Sequence, residues 1–171
     1  RKLLDLQFLT IYLKMREHIP NLGEGLILDI GSGYSPWKLM FNSNQKYLGL
    51  EIINYVNFGM QEKFSDVVYY EGKYFPFDNE MFDGALCIEV LEHVEDVELM
   101  ISEIWRVLKK GKKIYISIPF SARRHHIPRD YQRFTREKLE ILFKTNHFEI
   151  IDIFDRGDEV CTTYHKFLFL F

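Results

Sequence analysis

The chain has 171 residues, 47% apolar and 27% charged, enough to bury a full core and unlike a disordered sequence. Its 22 basic and 25 acidic side chains leave a net charge of −3, which argues against bulk nucleic-acid binding, and no apolar run approaches the ~20 residues of a membrane helix. Two cysteines are too few for a disulfide framework; Cys87 lies in an apolar run and reads as an inert core thiol, with a reducing, cytoplasmic setting as the default. Residues 2–17 carry Leu3, Leu6, Leu9 and Leu13 with Phe8, Tyr12 and Met15, the pattern of an amphipathic leading helix within residues 1–20. Short β-rich runs follow: Leu26–Ile30, Tyr47–Ile52, Val67–Tyr70, Phe82–Cys87, Lys113–Ile118 and Glu149–Phe154. Between the fourth and fifth, Val97, Met100, Ile101, Ile104, Trp105 and Leu108 share one helical face. Lys109, Lys110 and Gly111 read as the solvated exit of that helix. Thr135 is placed to cap a further helix bearing Leu139, Leu142 and Phe143.

This alternation predicts an α/β fold: a Rossmann-like, doubly wound, mostly parallel sheet with helices on both faces. Ligands of such sheets bind outside the carboxyl ends of the strands, where the strand order reverses. The chain opens on Arg1 and stops on the apolar run Phe167–Phe171, as a piece of a longer protein would, and no signal-peptide pattern precedes the first helix.

The stretch LILDIGSGYSP, residues 26–36, sets Gly31 and Gly33 directly behind the first strand. Residues without a Cβ are needed where backbone must approach a ligand. Ser35 and Pro36 are expected as the N-cap and first residue of a following helix. Glu51 ends the second strand, 18 residues after Gly33, where a carboxylate can accept both hydroxyl protons of a ribose. A dinucleotide fingerprint would place a third glycine at position 36; Pro36 stands there and offers no N–H to a pyrophosphate. A nucleoside cofactor without phosphates needs no such contact, and S-adenosylmethionine is one.

Five pieces in order carry a family resemblance: LDIGSG, LGLEI, FPFDNEMFDGALCIEVLEHV, RVLKKGKKIYISIP and RDYQRFTREKLEILF. From about residue 24 to 155 the chain resembles the class I S-adenosylmethionine-dependent methyltransferases. The resemblance implies that Asp29, Gly31, Ser32 and Gly33 form the turn under the methionine moiety. It implies Glu51 at the ribose hydroxyls, Ile52 on one adenine face, Glu71 accepting from the adenine amino group, and Ile88, Glu89 and Val90 along the cofactor's reactive side. Two departures stand out: Ser35 replaces the usual third glycine of the first motif, and Lys110-Gly111-Lys112 replaces K-P-G-G. The family fold closes with a seventh, antiparallel strand; residues 160–171 either supply it or form a helix.

Methyl transfer from a sulfonium needs an aligned nucleophile and, for oxygen or nitrogen, a proton acceptor near the methyl. If EVLEH, residues 89–93, is helical, then Glu89, Glu92 and His93 share a face; the alternative is a polar helix start. After the fifth strand come Ser121, Arg123, Arg124, His125, His126, Asp130, Tyr131 and Arg133, an acceptor loop spanning 121–134. Glu89, His93, His126 and Tyr131 are the expected catalytic residues, and Arg133 either anchors an anionic acceptor group or pairs locally. Glu89, Glu92, His93 and a later histidine also carry metal-ligand chemistry, similar to that of small-RNA 3′-terminal 2′-O-methyltransferases, although E-V-L-E-H also occurs in family members without a metal. The leading expectation is O-methylation of a small molecule of glycan or secondary-metabolite type, with no DNA partner. The alternatives are a metal-assisted RNA 2′-O-methyltransferase and a cofactor-binding module without catalysis.

Overall fold

The computed structural model describes residues 6–157. Its sheet has five strands, β1 (Gly25–Ile30), β2 (Gln45–Ile52), β3 (Val67–Tyr70), β4 (Phe82–Ile88) and β5 (Leu108–Ser117), in the order β3-β2-β1-β4-β5. Every neighbouring pair is parallel. The chain winds outward from β1 to β3, then crosses back to lay β4 on the other side of β1. Strand order therefore reverses between β1 and β4, and in open α/β sheets ligands bind beyond the carboxyl ends at such a point.

Alternation along the strands feeds two apolar layers. Ile27, Leu86 and Ile88 pack on one face with Ile11, Met15 and Trp37. Leu28, Ile30, Leu50, Ala85 and Cys87 face the other way, against α2 (Val97–Val107) and α3 (Arg136–Thr145). Each fully buried Leu or Ile contributes about 1.5–3 kcal/mol. Helices thus cover both faces, as expected. Cys87 is a free, buried thiol, and burial pushes its pKa up, which fits an inert core residue.

The leading helix is α1 (Leu6–His18). Its buried residues are Ile11 and Met15, continued by Ile19 in the next turn, while Leu9, Tyr12 and Leu13 are exposed. The segment is apolar on more than one side, and the sheet takes the i, i+4, i+8 stripe instead of the leucine stripe.

Three further expectations are corrected. No α-helix follows β1: Ser35 has φ 52°, and only a three-residue 3₁₀ turn, Lys38–Met40, comes after it. An N-cap needs extended backbone, but Ser35 takes the left-handed region, and its hydroxyl accepts from Tyr47. Residues 149–154 form no strand. Phe154 stacks on His18 and the Ile153 carbonyl accepts from Arg136, so the segment lies against neighbouring side chains and joins no ladder. Finally, α2 stops at Val107, and Leu108–Lys112 already belong to β5. Lys109 donates to both oxygens of Asp83 at 2.9 Å, with Lys112 at 3.6 Å, so these cations neutralise a strand-end carboxylate. Thr135 does cap α3, accepting from the Lys138 N–H. Residues 160–171, proposed above for the seventh strand, and Cys161 lie outside the described residues.

Candidate functional site

At the end of β1 the chain turns through Gly31 (φ 66°) and Gly33 (φ 53°). The N–H groups of Gly31 and Ser32 both donate to the Leu50 carbonyl, at 2.8 and 3.2 Å, which ties the turn to β2. A Cβ on Gly31 would stand 2.4 Å from Val90 Cγ2, closer than atoms can approach. Gly31 is therefore required by the close passage of the β4 end. A Cβ on Gly33 would meet nothing within 4 Å, so the space above that residue is open.

Glu51, at the tip of β2, is buried and reaches across to this turn. Its Oε2 accepts from the Gly33 N–H and its Oε1 from the Ile52 N–H, both at 2.9 Å. Burial raises its pKa, and the two backbone donors partly offset that. Each carboxylate oxygen keeps a second lone pair. Asp29, just below, is 1% exposed and accepts from the Tyr47 hydroxyl at 3.1 Å; the same hydroxyl reaches Ser35 Oγ at 2.7 Å. Burial raises the Asp29 pKa to about 7, with the Tyr47 hydrogen bond opposing and the nearby Glu51 charge adding. Ser32 is buried in the turn. Beyond β3, Glu71 is exposed, and the adjacent Gly72 approaches the Ile52 side chain.

The β4 end separates the residues of EVLEH. Glu89 takes φ 56°, and only a three-residue 3₁₀ turn, Leu91–His93, follows. The shared helical face expected for Glu89 and His93 therefore does not form. Glu89 turns toward β5, where its Oε1 accepts from Ser117 Oγ (2.6 Å) and from Arg156 (3.1 Å). Ile88 is buried against the α1 side, and Val90 packs on Gly31.

His93 turns the other way, into a cluster with His125, His126 and Phe58. Its ring centroid lies 4.7 Å from that of His125, 5.2 Å from His126 and 5.5 Å from Phe58. Burial lowers the pKa of His93 and of His126, which favours neutral imidazoles. Beneath them lies Glu92, fully buried, with no hydrogen-bond partner on either oxygen. Burial, then the Glu89 charge, raises its pKa to about 8. Asp130 accepts from both Arg133 and the His125 N–H, and the guanidinium holds its carboxyl well below the usual range. Arg133 is thus a local partner of Asp130. The Tyr131 N–H donates to the Glu92 carbonyl, and its side chain is half exposed.

The expected cofactor residues Asp29, Gly31, Ser32, Gly33, Glu51, Ile52, Ile88 and Val90 meet around the strand-order reversal, with Glu71 beside Ile52. His93 and His126 come together; Glu89 turns away to β5, and the half-exposed Tyr131 is tied by its backbone to Glu92. Phe58, Ser117 and Arg156 went unnoticed in the sequence. Ser117 had one usable signal, its place at a strand end opposite Glu89.

The methyltransferase domain family matches residues 28–116, just over half of the chain. The chain belongs to that family. It has the class I, S-adenosylmethionine-dependent fold, and the cofactor of that class fits this site: open space over Gly33, a buried carboxylate bonded to that turn and no N–H at Pro36 for a phosphate. An uncharacterized protein of Methanocaldococcus jannaschii is 35% identical over 104 residues, which span 61% of this chain and 48% of that protein. A 24-methylenesterol C-methyltransferase of Arabidopsis thaliana is 36% identical over 83 residues, 48% of this chain and 19% of that enzyme. The chain thus spans about half, or less, of the curated relatives it matches. The structure of an S-adenosylmethionine-dependent methyltransferase from Aquifex aeolicus superposes with a TM-score of 0.64 at 14% identity, covering 91% of this chain and 87% of that one. No helix among the described residues is long and apolar enough to cross a membrane.

Proposed function

We propose that residues 1–171 form one catalytic methyltransferase domain that methylates an oxygen of a small-molecule acceptor, of glycan or secondary-metabolite type, in the cytoplasm. The observation that carries the reading is the bond between Glu51 and Gly33. It joins the two elements that a phosphate-free nucleoside needs, a carboxylate for the sugar and an open glycine turn, at the carboxyl ends of β1 and β2, beside the point where strand order reverses. S-adenosylmethionine supplies an activated methyl, which an acceptor oxygen takes while the C–S electron pair stays on sulfur.

The chain's residues have three tasks. Glu51 and the turn hold the nucleoside, while Val90 and Ile88 wall its reactive side. The 121–134 loop, with Tyr131, positions the acceptor, which supplies most of the benefit of an aligned encounter. The acceptor's proton leaves to Glu89 or His93 after β4, or to His126 on the loop after β5, the two histidines as neutral imidazoles. The net charge of −3 favours a small acceptor over RNA.

A melting-temperature screen tests the cofactor half. S-adenosylhomocysteine at a hundred times its Kd should stabilise the chain by about 2.7 kcal/mol, and NAD should not. Labelled-methyl transfer to hydroxylated small molecules and to RNA tests the acceptor half. Stabilisation by NAD alone, or transfer to RNA alone, overturns the reading.

A further inference from the structure

We infer that His93, His125 and His126, with Glu92 beside them, bind one divalent transition-metal ion of the zinc class, and that this ion clasps the 121–134 loop onto the end of β4. Two independent observations carry it. The first is the geometry of the imidazoles. One ring nitrogen from each of the three histidines lies within 4.8 Å of the others. His93 Nδ1 lies 2.5 Å from the Arg129 carbonyl, and His125 Nδ1 lies 2.9 Å from the Arg123 carbonyl. A carbonyl only accepts, so each Nδ1 carries the proton and each Nε2 presents a lone pair. Outer partners of this kind fix tautomer and ring orientation in metal sites.

The second observation is Glu92. A buried carboxyl with no hydrogen bond on either oxygen is costly to maintain. Its Oε1 lies 3.6 Å from His93 Nε2 and 3.9 Å from His125 Nε2, facing the same two lone pairs. Donors about 2.0–2.1 Å from a tetrahedral ion stand roughly 3.3 Å apart, so small rotations close this set. Three imidazoles and one carboxylate suit zinc, cobalt or ferrous iron better than magnesium or calcium. Glu89 stays outside the set, because Ser117 and Arg156 hold it on the β5 side. The donor set therefore differs from Glu89, Glu92, His93 and one histidine, the combination expected from the sequence.

The donors come from two segments far apart in sequence. Glu92 and His93 follow β4, whereas His125 and His126 sit on the loop after β5. Tyr131 N–H to Glu92 O and Gln132 to Val94 O also join the two. A closed four-donor site is the structural kind, and it contributes folding energy directly. Ligation would commit the lone pairs of His93 and His126, leaving Glu89 as the proton acceptor. Only this last point, and the loop's role over an acceptor, rests on the methyl-transfer reading; metal binding does not.

The test uses the full chain, tag-free, stripped by a chelator and titrated with Co²⁺ alone. We expect one cobalt per chain, visible bands of a four-coordinate ion, displacement by Zn²⁺, and at least tenfold slower tryptic cleavage after Arg123, Arg124 and Arg129. His125→Asn and His126→Asn lie on the loop and should fold, as circular dichroism will check. Each should weaken cobalt binding by more than the about 10–100-fold that loss of an outer-shell partner costs. Glu92→Gln should do the same and shift the bands. Absence of stoichiometric cobalt, unchanged affinity in the His125→Asn/His126→Asn double variant, or unaltered cleavage with cobalt bound overturns the inference. S-adenosylhomocysteine binding is measured in parallel. Cobalt bound without any response to that ligand upholds the clasp and sinks the methyl-transfer reading; the opposite result sinks the clasp alone.

Discussion

Replacing Gly31 by alanine perturbs one contact whose cost can be worked from the structure. The new Cβ would lie 2.4 Å from Val90 Cγ2 and 3.1 Å from Cγ1, on a backbone with φ 66°. A left-handed conformation costs a residue with a Cβ about 1–2 kcal/mol. Forcing a methyl into a filled space adds roughly 1–3 kcal/mol. The sum, about 2–5 kcal/mol, is a large part of an ordinary domain's stability of about 5–15 kcal/mol. Urea unfolding of wild type, Gly31→Ala, Val90→Ala and the double variant separates the two costs. Val90→Ala should recover the steric part, about 1–3 kcal/mol of coupling, and leave the backbone part in place. S-adenosylhomocysteine affinity should fall with Gly31→Ala and recover partly in the double variant. A Gly31→Ala protein as stable as wild type, or a coupling within a few tenths of a kcal/mol of zero, would refute the packing of β4's end on the turn.

Glu51→Ala removes the acceptor of two backbone N–H groups, so it should lower stability and weaken S-adenosylhomocysteine binding, each by about 1–3 kcal/mol; calorimetry showing unchanged affinity would place the sugar elsewhere. Asp29, with its pKa raised to about 7, stays protonated in the folded chain after the unfolded chain has ionised. Stability should therefore fall as pH rises from about 4 to 7, by at most about 4 kcal/mol from this group, and level off above; Asp29→Asn should flatten that slope in urea titrations, and an unaltered slope would contradict the burial. His126→Ala should depress turnover more than cofactor affinity, and the reverse ordering would remove His126 from the acceptor side.

The five strands and their parallel sheet were legible because buried parallel strands read as short apolar runs and because glycine and acid mark their ends; their order came only with the fold. Val67–Tyr70 was matched to the residue, and the cofactor turn followed from Gly31, Gly33 and Glu51. Residues 149–154 misled because an isoleucine-rich run such as EIIDIF specifies a strand only when a neighbour offers an edge. Ser35 and Pro36 misled because helix-start chemistry depends on the backbone region that the preceding turn leaves available. EVLEH misled for the same reason: the left-handed Glu89 ends the strand and sends Glu89 and His93 in opposite directions. The burial of Glu92 had no signal in one sequence, since His125 beside it comes from the loop after β5, far along the chain.

The most direct test of the account is a crystal structure of the chain with S-adenosylhomocysteine. The account predicts the ribose hydroxyls on the Glu51 carboxylate and the amino-acid end over Gly33, beyond the tips of β1 and β2. A ligand seated elsewhere, or a nucleoside whose sugar makes no contact with Glu51, would contradict it.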